Sequence, residues 1–303
     1  MSATPSIDVV ALGHPLVDIL SHETDDVVAR AGVERGAMTM VDAARADEIY
    51  AQLGPALESS GGSAANTAVG VASFGGKAAF IGRIADDAFG KVFAHDLRAS
   101  GVEFDVLPAT DGSPTGRCLV IVAADAERTM CTYLGAGAEI DVQDIDADRI
   151  AGAAVTYLEG YLWDEPAAKA AIRRAAALAK EANRKVAFTL SDPFCVERHR
   201  DEFRELVETN VDVLFANEDE IAVLGDHDAR ELVVKLGAGG ATWTDGLRSV
   251  DVPAADAEVV DTTGAGDAFA AGFLAAWGEG PERALARGVE LAGRAVARPG
   301  GRP

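Results

Sequence analysis

The sequence predicts an α/β fold in which helices flank a central, mainly parallel sheet and a small second sheet is attached. Apolar runs of strand length alternate with helix-length segments over most of the 303 residues. Four short β-like runs stand outside that alternation, and two glycine-rich turns each lead into an Ala-rich segment. About half of the residues are apolar, which is enough for one large domain, assigned to residues 1–303.

The predicted elements begin with a strand at 7–13, and Asp18 follows a few residues beyond it. A glycine turn near 59–63 then leads into an Ala-rich helix that runs towards Phe74. Further strands are expected at 78–82, 153–158, 185–190 and 211–215, and another begins at residue 232. Helices are expected to end near residue 100 and to cover 166–182 and 202–209.

Acidic residues follow several of these strands directly. Open α/β sheets bind ligands at the carboxyl ends of their strands, so Asp18, Glu159 and the stretch 217–220 are candidate ligand contacts. Taken alone, Asp18 is better explained as a capping or solvent-facing residue.

The four runs outside the alternation lie at 16–20, 37–41, 116–123 and 128–134. They predict a small separate sheet, inserted into the large domain as two pieces at approximately 14–42 and 115–134. We expect this sheet to act as a lid. Its open face also makes a homodimer formed through the lid possible.

Composition excludes several classes of partner. A net charge of -22 disfavours nucleic acid and anionic membranes, and no stretch reaches the length of a membrane span. Cys118, Cys131 and Cys195 have no metal or disulfide spacing and are predicted to be reduced core thiols. Together with the absence of a signal-like N-terminus, these features predict a cytoplasmic protein.

The stretch 261–267 is the strongest local signal for chemistry. It follows an apolar β-like run ending at Val260, and its glycines put successive backbone N–H groups at the start of a helix, which suits a phosphoryl oxygen. Asp267 adds a carboxylate that either accepts a proton from an attacking hydroxyl or only caps the helix. The sequence contains neither a GxxxxGK[ST] phosphate loop nor a GxGxxG dinucleotide turn.

Two motifs in this order, SGGSAANTAVGVASFGG at 60–76 and DTTGAGDAFAAGF at 261–273, carry a family resemblance. The chain resembles the ribokinase-like (pfkB) family of carbohydrate and nucleoside kinases over nearly its whole length. Within that family it is similar to bacterial adenosine kinases in the stretches 36–42, 127–136, 157–164 and 189–200. The resemblance implies a ribokinase-like fold with a β-sheet lid, and ATP and Mg2+ as requirements.

The resemblance also implies roles for particular residues. Asp267 would be the general base, and the anion hole for the transferred phosphoryl group would consist of Gly264, Ala265 and Gly266. Substrate hydroxyls would be bound by Asp18, Gly62, Ser63 and Asn66. Glu159 is a further candidate substrate contact from its position at a strand end, not from the resemblance. The nucleotide side would include Asn217 and Glu220, which hold Mg2+ through water, and Lys235, Gly237 and the lid residue Arg128. Asp261 and Thr263 would bind a monovalent cation, with K+ as the candidate.

The expected activity is phosphorylation of an alcohol group on a ribonucleoside such as adenosine. A sugar such as ribose or fructose is the alternative acceptor, and a non-catalytic nucleotide or sugar sensor is a third reading. Arg128 is equally well explained as a surface salt-bridge residue. One departure from the family lies at 226–231, where a further helix is usual; either it is deleted or residues are missing there.

Overall fold

The computed structural model describes residues 4–125, 127–298 and 300. The strands of this part are β1 Ile7–Leu12, β2 Leu16–His22, β3 Met38–Met40, β4 Ala56–Gly61, β5 Ala78–Ile81, β6 Val102–Glu103, β7 Thr115–Val122, β8 Arg128–Gly135, β9 Ala153–Glu159, β10 Lys185–Thr189, β11 Val213–Asn217, β12 Glu231–Lys235, β13 Ala241–Thr244 and β14 Ser249–Val252. The α-helices are α1 Asp25–Ala31, α2 Ala43–Tyr50, α3 Ser63–Ser73, α4 Ala88–Ala99, α5 Ala147–Gly152, α6 Pro166–Glu181, α7 Pro193–Thr209, α8 Glu218–Leu224, α9 Ala265–Ala276 and α10 Pro281–Val296.

The large sheet has the strand order β14-β13-β12-β11-β10-β9-β1-β5-β6. Pairing is parallel from β12 to β6, and the last two strands at the other edge run antiparallel. From β1 the chain first proceeds to β5 and β6 and then returns to β9 on the other side. The strand order therefore reverses between β1 and β9, which is where open α/β sheets form their ligand crevice.

The central strands are mostly apolar because both faces of the sheet are covered. On β1, Val9 and Ala11 belong to one buried cluster, while Val10 and Leu12 belong to the other. The first cluster is shared with α3, α4, α9 and α10, and the second with α6, α7 and α8. The alternation of strands and helices in the sequence thus gives three packed layers, as predicted.

The small sheet has the strand order β3-β8-β7-β2-β4 and confirms the four strands predicted outside the α/β alternation. Side chains such as Val17 and Leu119 point to the face that packs on the main core. The opposite face, with Leu20, Val120 and Met130, has its own small apolar cluster. Alternation along each strand therefore gives this sheet one core face and one face turned towards the ligand edge of the large sheet.

Several predicted details were wrong. The small sheet has a fifth strand, β4, which pairs antiparallel with β2 and was not predicted, because ALESSG lacks a strand-like apolar pattern. The run before residue 261 is not a strand, and Val259 and Val260 are 64% and 54% exposed. The helix expected at 202–209 follows a kink at His199, and a helical segment before that kink, capped by Asp192 through Cys195 N–H at 2.6 Å, was not predicted.

The segment 226–231, where a further helix is usual in the family, has a simple structure. Helix α8 and the segment 225–230 make up the whole crossover between β11 and β12, which pair in parallel. No additional helix is needed to close this βαβ unit.

All three cysteines are buried and free, as predicted. Within the described ranges, no helix combines the length and apolarity needed to cross a membrane. A dimer through the small sheet stays a prediction.

Candidate active site

Asp267 lies in the first turn of α9, and its carboxylate contacts α3 instead of its own helix. One oxygen, Oδ1, accepts a hydrogen bond from Ser63 Oγ at 2.6 Å, and Oδ2 accepts one from Asn66 Nδ2 at 3.3 Å. The N-cap of α9 is Gly264, which has no side chain to cap the helix. Of the two interpretations that the sequence left open, the capping one therefore does not describe this carboxylate.

Close packing of α3 on α9 makes these hydrogen bonds possible. A Cβ atom added to Gly70 would lie only 2.5 Å from the Cβ of Ala271, so the two helix backbones approach at a distance that only small residues allow. Thr67, also on α3, donates to the backbone oxygen of Asp267 at 3.4 Å. The run of small residues in the first glycine motif is thus explained by helix packing as well as by ligand contact.

Burial raises the pKa of Asp267, while hydrogen bonds from Ser63 and Asn66 and the charge of Lys235 act in the opposite direction. A carboxylate with a raised pKa is a stronger base than an exposed one. The site therefore combines an accessible proton acceptor with neighbours that hold its two oxygens in place.

The backbone N–H groups beside Asp267 are not equivalent. Gly264 and Gly266 line the same cavity as Asp267, whereas Ala265 lines a neighbouring cleft and its N–H donates to the Thr262 carbonyl at 3.2 Å. Of the three residues in the predicted anion hole, two therefore line the cavity that Asp267 lines.

The cavity at this point has a volume of about 440 Å3 and lies between the two sheets, and we call it the inter-sheet cavity. Its walls are the inner face of the small sheet, the start of α3, the start of α9 and the carboxyl ends of the large-sheet strands. Lining side chains include Asp18, Leu20, Cys118, Val120, Met130, Tyr161, Thr189, Ser191, Glu220, Lys235 and Asp267.

Asp18 lies inside β2 of the small sheet, where it shares a face with Leu20 and lines the inter-sheet cavity. Its carboxylate rests against Gly61, where an added Cβ would lie 2.2 Å from Oδ2. The next residue, Gly62, has a φ of 95°, and a Cβ there would lie 2.2 Å from the His14 carbonyl oxygen. The two glycines thus bring the backbone at the start of α3 next to Asp18.

Glu159 is the clearest correction among the predicted site residues. It is 1% exposed and does not line the inter-sheet cavity. One carboxylate oxygen accepts from the backbone N–H of His14 at 2.8 Å and the other from that of Ala64 at 2.7 Å. Burial raises the pKa of Glu159 to about 8. Its role is to join the ends of β9, β1 and α3 from behind the cavity, because both oxygens are occupied by backbone groups.

Asn217 and Glu220 form a reciprocal cap at the start of α8. Glu220 N–H donates to Asn217 Oδ1 at 2.8 Å, and the Glu220 carboxylate accepts from Asn217 N–H at 2.9 Å and from Nδ2 at 2.8 Å. Burial raises the pKa of Glu220, opposed by the charge of Lys235. Asn217 pairs in register with Lys235 at the end of the neighbouring strand, so the amide and the ammonium lie at one edge of the sheet.

Lys235 reaches from this edge to the start of α9. A Cβ atom added to Gly266 would lie 3.2 Å from Lys235 Nζ. The ammonium group therefore adds a full positive charge to a helix N-terminus that already favours anions. Asp267 is the next residue after Gly266, so its carboxylate and the Lys235 ammonium group come together at the start of α9.

A second cleft, of about 750 Å3, continues from Lys235 away from the small sheet, and we call it the C-terminal cleft. Asn217, Lys235 and Gly266 line both spaces. The other residues that line the cleft are mostly small and apolar. They include Gly237, Ala238, Gly240, Ala254, Ala257, Phe269, Val289, Ala292 and Val296. Two connected spaces therefore meet where the amides, the ammonium and Asp267 converge.

Arg128, Asp261 and Thr263 form one cluster. The guanidinium of Arg128 makes an ion pair with the Asp261 carboxylate, and its Nη1 donates to Thr263 Oγ1 at 3.3 Å. The Arg128 side chain is 17% exposed and that of Asp261 5%, so this is not the surface salt bridge that was the alternative for Arg128. Because the Arg128 guanidinium is engaged by Asp261 and Thr263, it is also not free to reach a phosphate, although Arg128 borders the inter-sheet cavity.

Sequence reasoning missed several residues that line the cavity, and two of them, Tyr161 and Ser191, contact each other. Tyr161 N–H donates to Ser191 Oγ at 3.3 Å, and Ser191 has a φ of 76°, which is unusual for a residue with a side chain. Both residues follow large-sheet strands, β9 and β10, and that position was the only available signal.

Comparison with known proteins defines the class of this protein as an ATP-dependent phosphotransferase. More narrowly, the chain belongs to the pfkB family of carbohydrate kinases, which matches residues 38–303. The structure of adenosine kinase from Sinorhizobium meliloti is 44% identical, with a TM-score of 0.90 over 98% of this chain and 96% of that one. A structure from Rhizobium etli described as a "probable sugar kinase protein" is 42% identical, with a TM-score of 0.91 over 99% of this chain and 96% of that one.

Among curated proteins, an ATP-dependent ribose-1-phosphate kinase from Halopiger xanaduensis is 36% identical over 256 residues, 80% of this chain and 83% of its own length. The family resemblance and the ribokinase-like fold inferred from the two glycine motifs are thereby confirmed.

Proposed function

We propose that this kinase transfers the γ-phosphoryl group of ATP to a primary hydroxyl of an uncharged ribonucleoside, with adenosine as the first candidate. The observation that carries the proposal is that two differently lined spaces meet at Lys235 and Gly266, beside Asp267. ATP would occupy the C-terminal cleft and the acceptor the inter-sheet cavity, so the reacting groups meet at the start of α9.

Asp267 would accept the proton of the attacking hydroxyl. Its oxygens are held by Ser63 and Asn66, and its raised pKa makes it a competent base. As the oxygen attacks, the bond from the γ-phosphorus to the bridging oxygen breaks and ADP leaves on the opposite side. The amides of Gly264 and Gly266 and the Lys235 ammonium would stabilise the charge on the transferred group.

Mg2+ fits this site through water. The oxygens of Asn217 and Glu220 already accept hydrogen bonds from each other's donors, so their remaining lone pairs suit water molecules on a metal better than direct ligation. When bound, Mg2+ would neutralise charge on the nucleotide phosphates. Asn217 and Glu220 would orient its hydration shell.

The inter-sheet cavity supports an uncharged acceptor with an apolar part. Its wall from the small sheet presents Leu20, Val120 and Met130, which suit the face of a nucleobase. Burial, with the charge of Asp18 second, raises the pKa of the adjacent Cys118 thiol to about 12, so this thiol stays neutral. Asp18 would accept hydrogen bonds from ribose hydroxyls.

An acceptor that already carries a phosphate is less well suited. The charged side chains lining the inter-sheet cavity are Asp18, Glu220 and Asp267 against Arg128 and Lys235. Arg128 is paired with Asp261, and Lys235 lies at the start of α9, where the ATP phosphates would bind. No cation among these lining residues is thus left for a second phosphate. A free sugar remains the alternative, because Asp18 and Asn66 suit any polyol.

An acceptor panel tests the proposal. Coupled measurement of ADP release with adenosine, guanosine, cytidine, ribose, fructose and ribose 1-phosphate should give the highest kcat/KM for adenosine. A preference for ribose or fructose would select the sugar kinase alternative. ADP release with none of these acceptors, from a folded protein that binds ATP, would favour the sensor reading.

A further inference from the structure

The cluster of Arg128, Asp261 and Thr263 lies where the family resemblance implies a monovalent cation, and its geometry does not suit one. The side-chain oxygens implied as ligands are those of Asp261 and Thr263. Both already contact the guanidinium of Arg128, by an ion pair and by a hydrogen bond of 3.3 Å. A K+ ion between the same two oxygens would compete with a positive charge that belongs to the chain itself.

Backbone N–H groups also donate hydrogen bonds to the Asp261 carboxylate. Oδ1 accepts from Thr263 N–H at 3.0 Å, and Oδ2 accepts from Gly300 N–H at 2.6 Å. With the guanidinium added, each oxygen has a donor, and the side chain of Asp261 is only 5% exposed. A buried carboxylate satisfied by one charged partner and two amides has its negative charge fully compensated.

Arg128 comes from a different part of the fold than the loop it holds. It is the first residue of β8 in the small sheet, whereas residues 261–264 lead directly into the amides of Gly264 and Gly266. The same loop is fixed on its other side, because the N–H groups of Val260 and Asp261 donate to the Val296 carbonyl at 2.7 and 3.1 Å. Arg128 thus connects the small sheet to the loop before the anion hole.

We propose that the guanidinium of Arg128 takes the place of a monovalent cation, holding the 261–264 loop so that phosphoryl transfer does not require K+. Arg128 is then a positioning residue that acts through Asp261. This inference rests on the anion hole proposed above. It also replaces the earlier expectation that Asp261 and Thr263 bind K+.

The test compares the full-length protein in tetramethylammonium, sodium and potassium chloride at one ionic strength. ATP turnover is measured with the acceptor that gives the highest rate in the panel, and thermal unfolding is followed in the same buffers. The variants are Arg128→Ala, Arg128→Lys and the control Arg35→Ala. Arg35 also pairs with carboxylates on the segment before β8, Asp125 and Glu127, but it does not contact the 261–264 loop.

Wild type and Arg35→Ala should turn over equally in the three salts. Arg128→Ala should lose about tenfold to a hundredfold in kcat in tetramethylammonium, the range for losing one charged hydrogen-bonded partner. Potassium should restore part of that loss and raise the melting temperature of Arg128→Ala alone, because a small cation can then reach Asp261. Arg128→Lys should keep most of the activity in every salt.

Three results would overturn the inference. The first is activation of the wild-type protein by K+ over tetramethylammonium. The second is full activity of Arg128→Ala in tetramethylammonium. The third is a loss in Arg128→Ala that no cation reverses in turnover or in melting temperature. Melting needs no acceptor, so if the proposed function failed, the response of Arg128→Ala to K+ would still decide the question.

Discussion

Glu159→Gln probes a buried carboxyl group whose proton should control stability. The pKa of Glu159 is raised from its usual 4.5 to about 8 because the group is buried. Between these two values the unfolded chain has lost the proton and the folded protein keeps it, so raising the pH favours unfolding. The stabilising contribution is complete below pH 4.5 and is lost as pH approaches 8.

The size of the effect follows from the two pKa values. Each pKa unit corresponds to about 1.4 kcal/mol, so this single group should lower the free energy of unfolding by roughly 3.5 kcal/mol between pH 5 and pH 8. Glutamine cannot titrate, and its carbonyl can still accept from one of the two backbone donors, His14 or Ala64. The variant should therefore be less stable than wild type at pH 5 and lose less stability as pH rises.

Urea unfolding at several pH values between 5 and 8 measures this difference. Glu208, exposed on α7, provides the control, because Glu208→Gln removes a glutamate without touching a buried hydrogen bond. The difference in unfolding free energy between wild type and Glu159→Gln should change by several kcal/mol across this range, while that for Glu208→Gln stays flat. Parallel stability curves for wild type and Glu159→Gln would refute the assignment of a buried, protonated carboxyl at Glu159.

Two further predictions concern the active site and the turn beside it. Asp267→Asn should lower kcat on the order of a thousandfold with an unchanged melting temperature. The proton acceptor is lost, while Ser63 can still donate to the amide oxygen. Near-full turnover would contradict the assignment of Asp267 as the base. Gly62→Ala should lower the free energy of unfolding by about 2–4 kcal/mol in urea, since its φ is 95° and its Cβ would meet the His14 carbonyl. Gly75→Ala, with a φ of 81° and nothing within 4 Å of the added Cβ, is the matched control and should cost less.

Local patterns predicted the parts of this fold whose cause is local. The large sheet was recognisable because its strands are buried on both faces and therefore largely apolar. Strand β4 was missed because ALESSG becomes a strand only by pairing with β2. Val259 and Val260 show the opposite error, because an apolar pair without a partner strand stays in an exposed loop.

The same distinction applies to the acidic residues of the site. Asp267, Glu159 and Asp261 are all acidic residues at or near the ligand edge. Contact with a ligand was predicted for Asp267 and Glu159 from their positions in the sequence, and for Asp261 from the family resemblance. Their actual surroundings come from residues far away in the chain. Ser63 and Asn66 leave Asp267 open to the cavity, whereas His14 and Ala64 close off Glu159, and Arg128 neutralises Asp261.

Of these three acidic residues, Asp267 has access to the cavity and can take a proton from a substrate. Glu159 and Asp261 instead hold backbone groups around it. Glu159 and Asp261 are connected to the proposed base, Asp267, through short paths. Glu159 holds the N–H of Ala64, one residue after Ser63, which in turn holds Asp267. Asp261 holds the loop that ends at Gly264, three residues before Asp267. A change at either carboxylate should thus alter the placement of the base or of its amides without touching a substrate, which is why loss of activity alone does not identify a catalytic residue here.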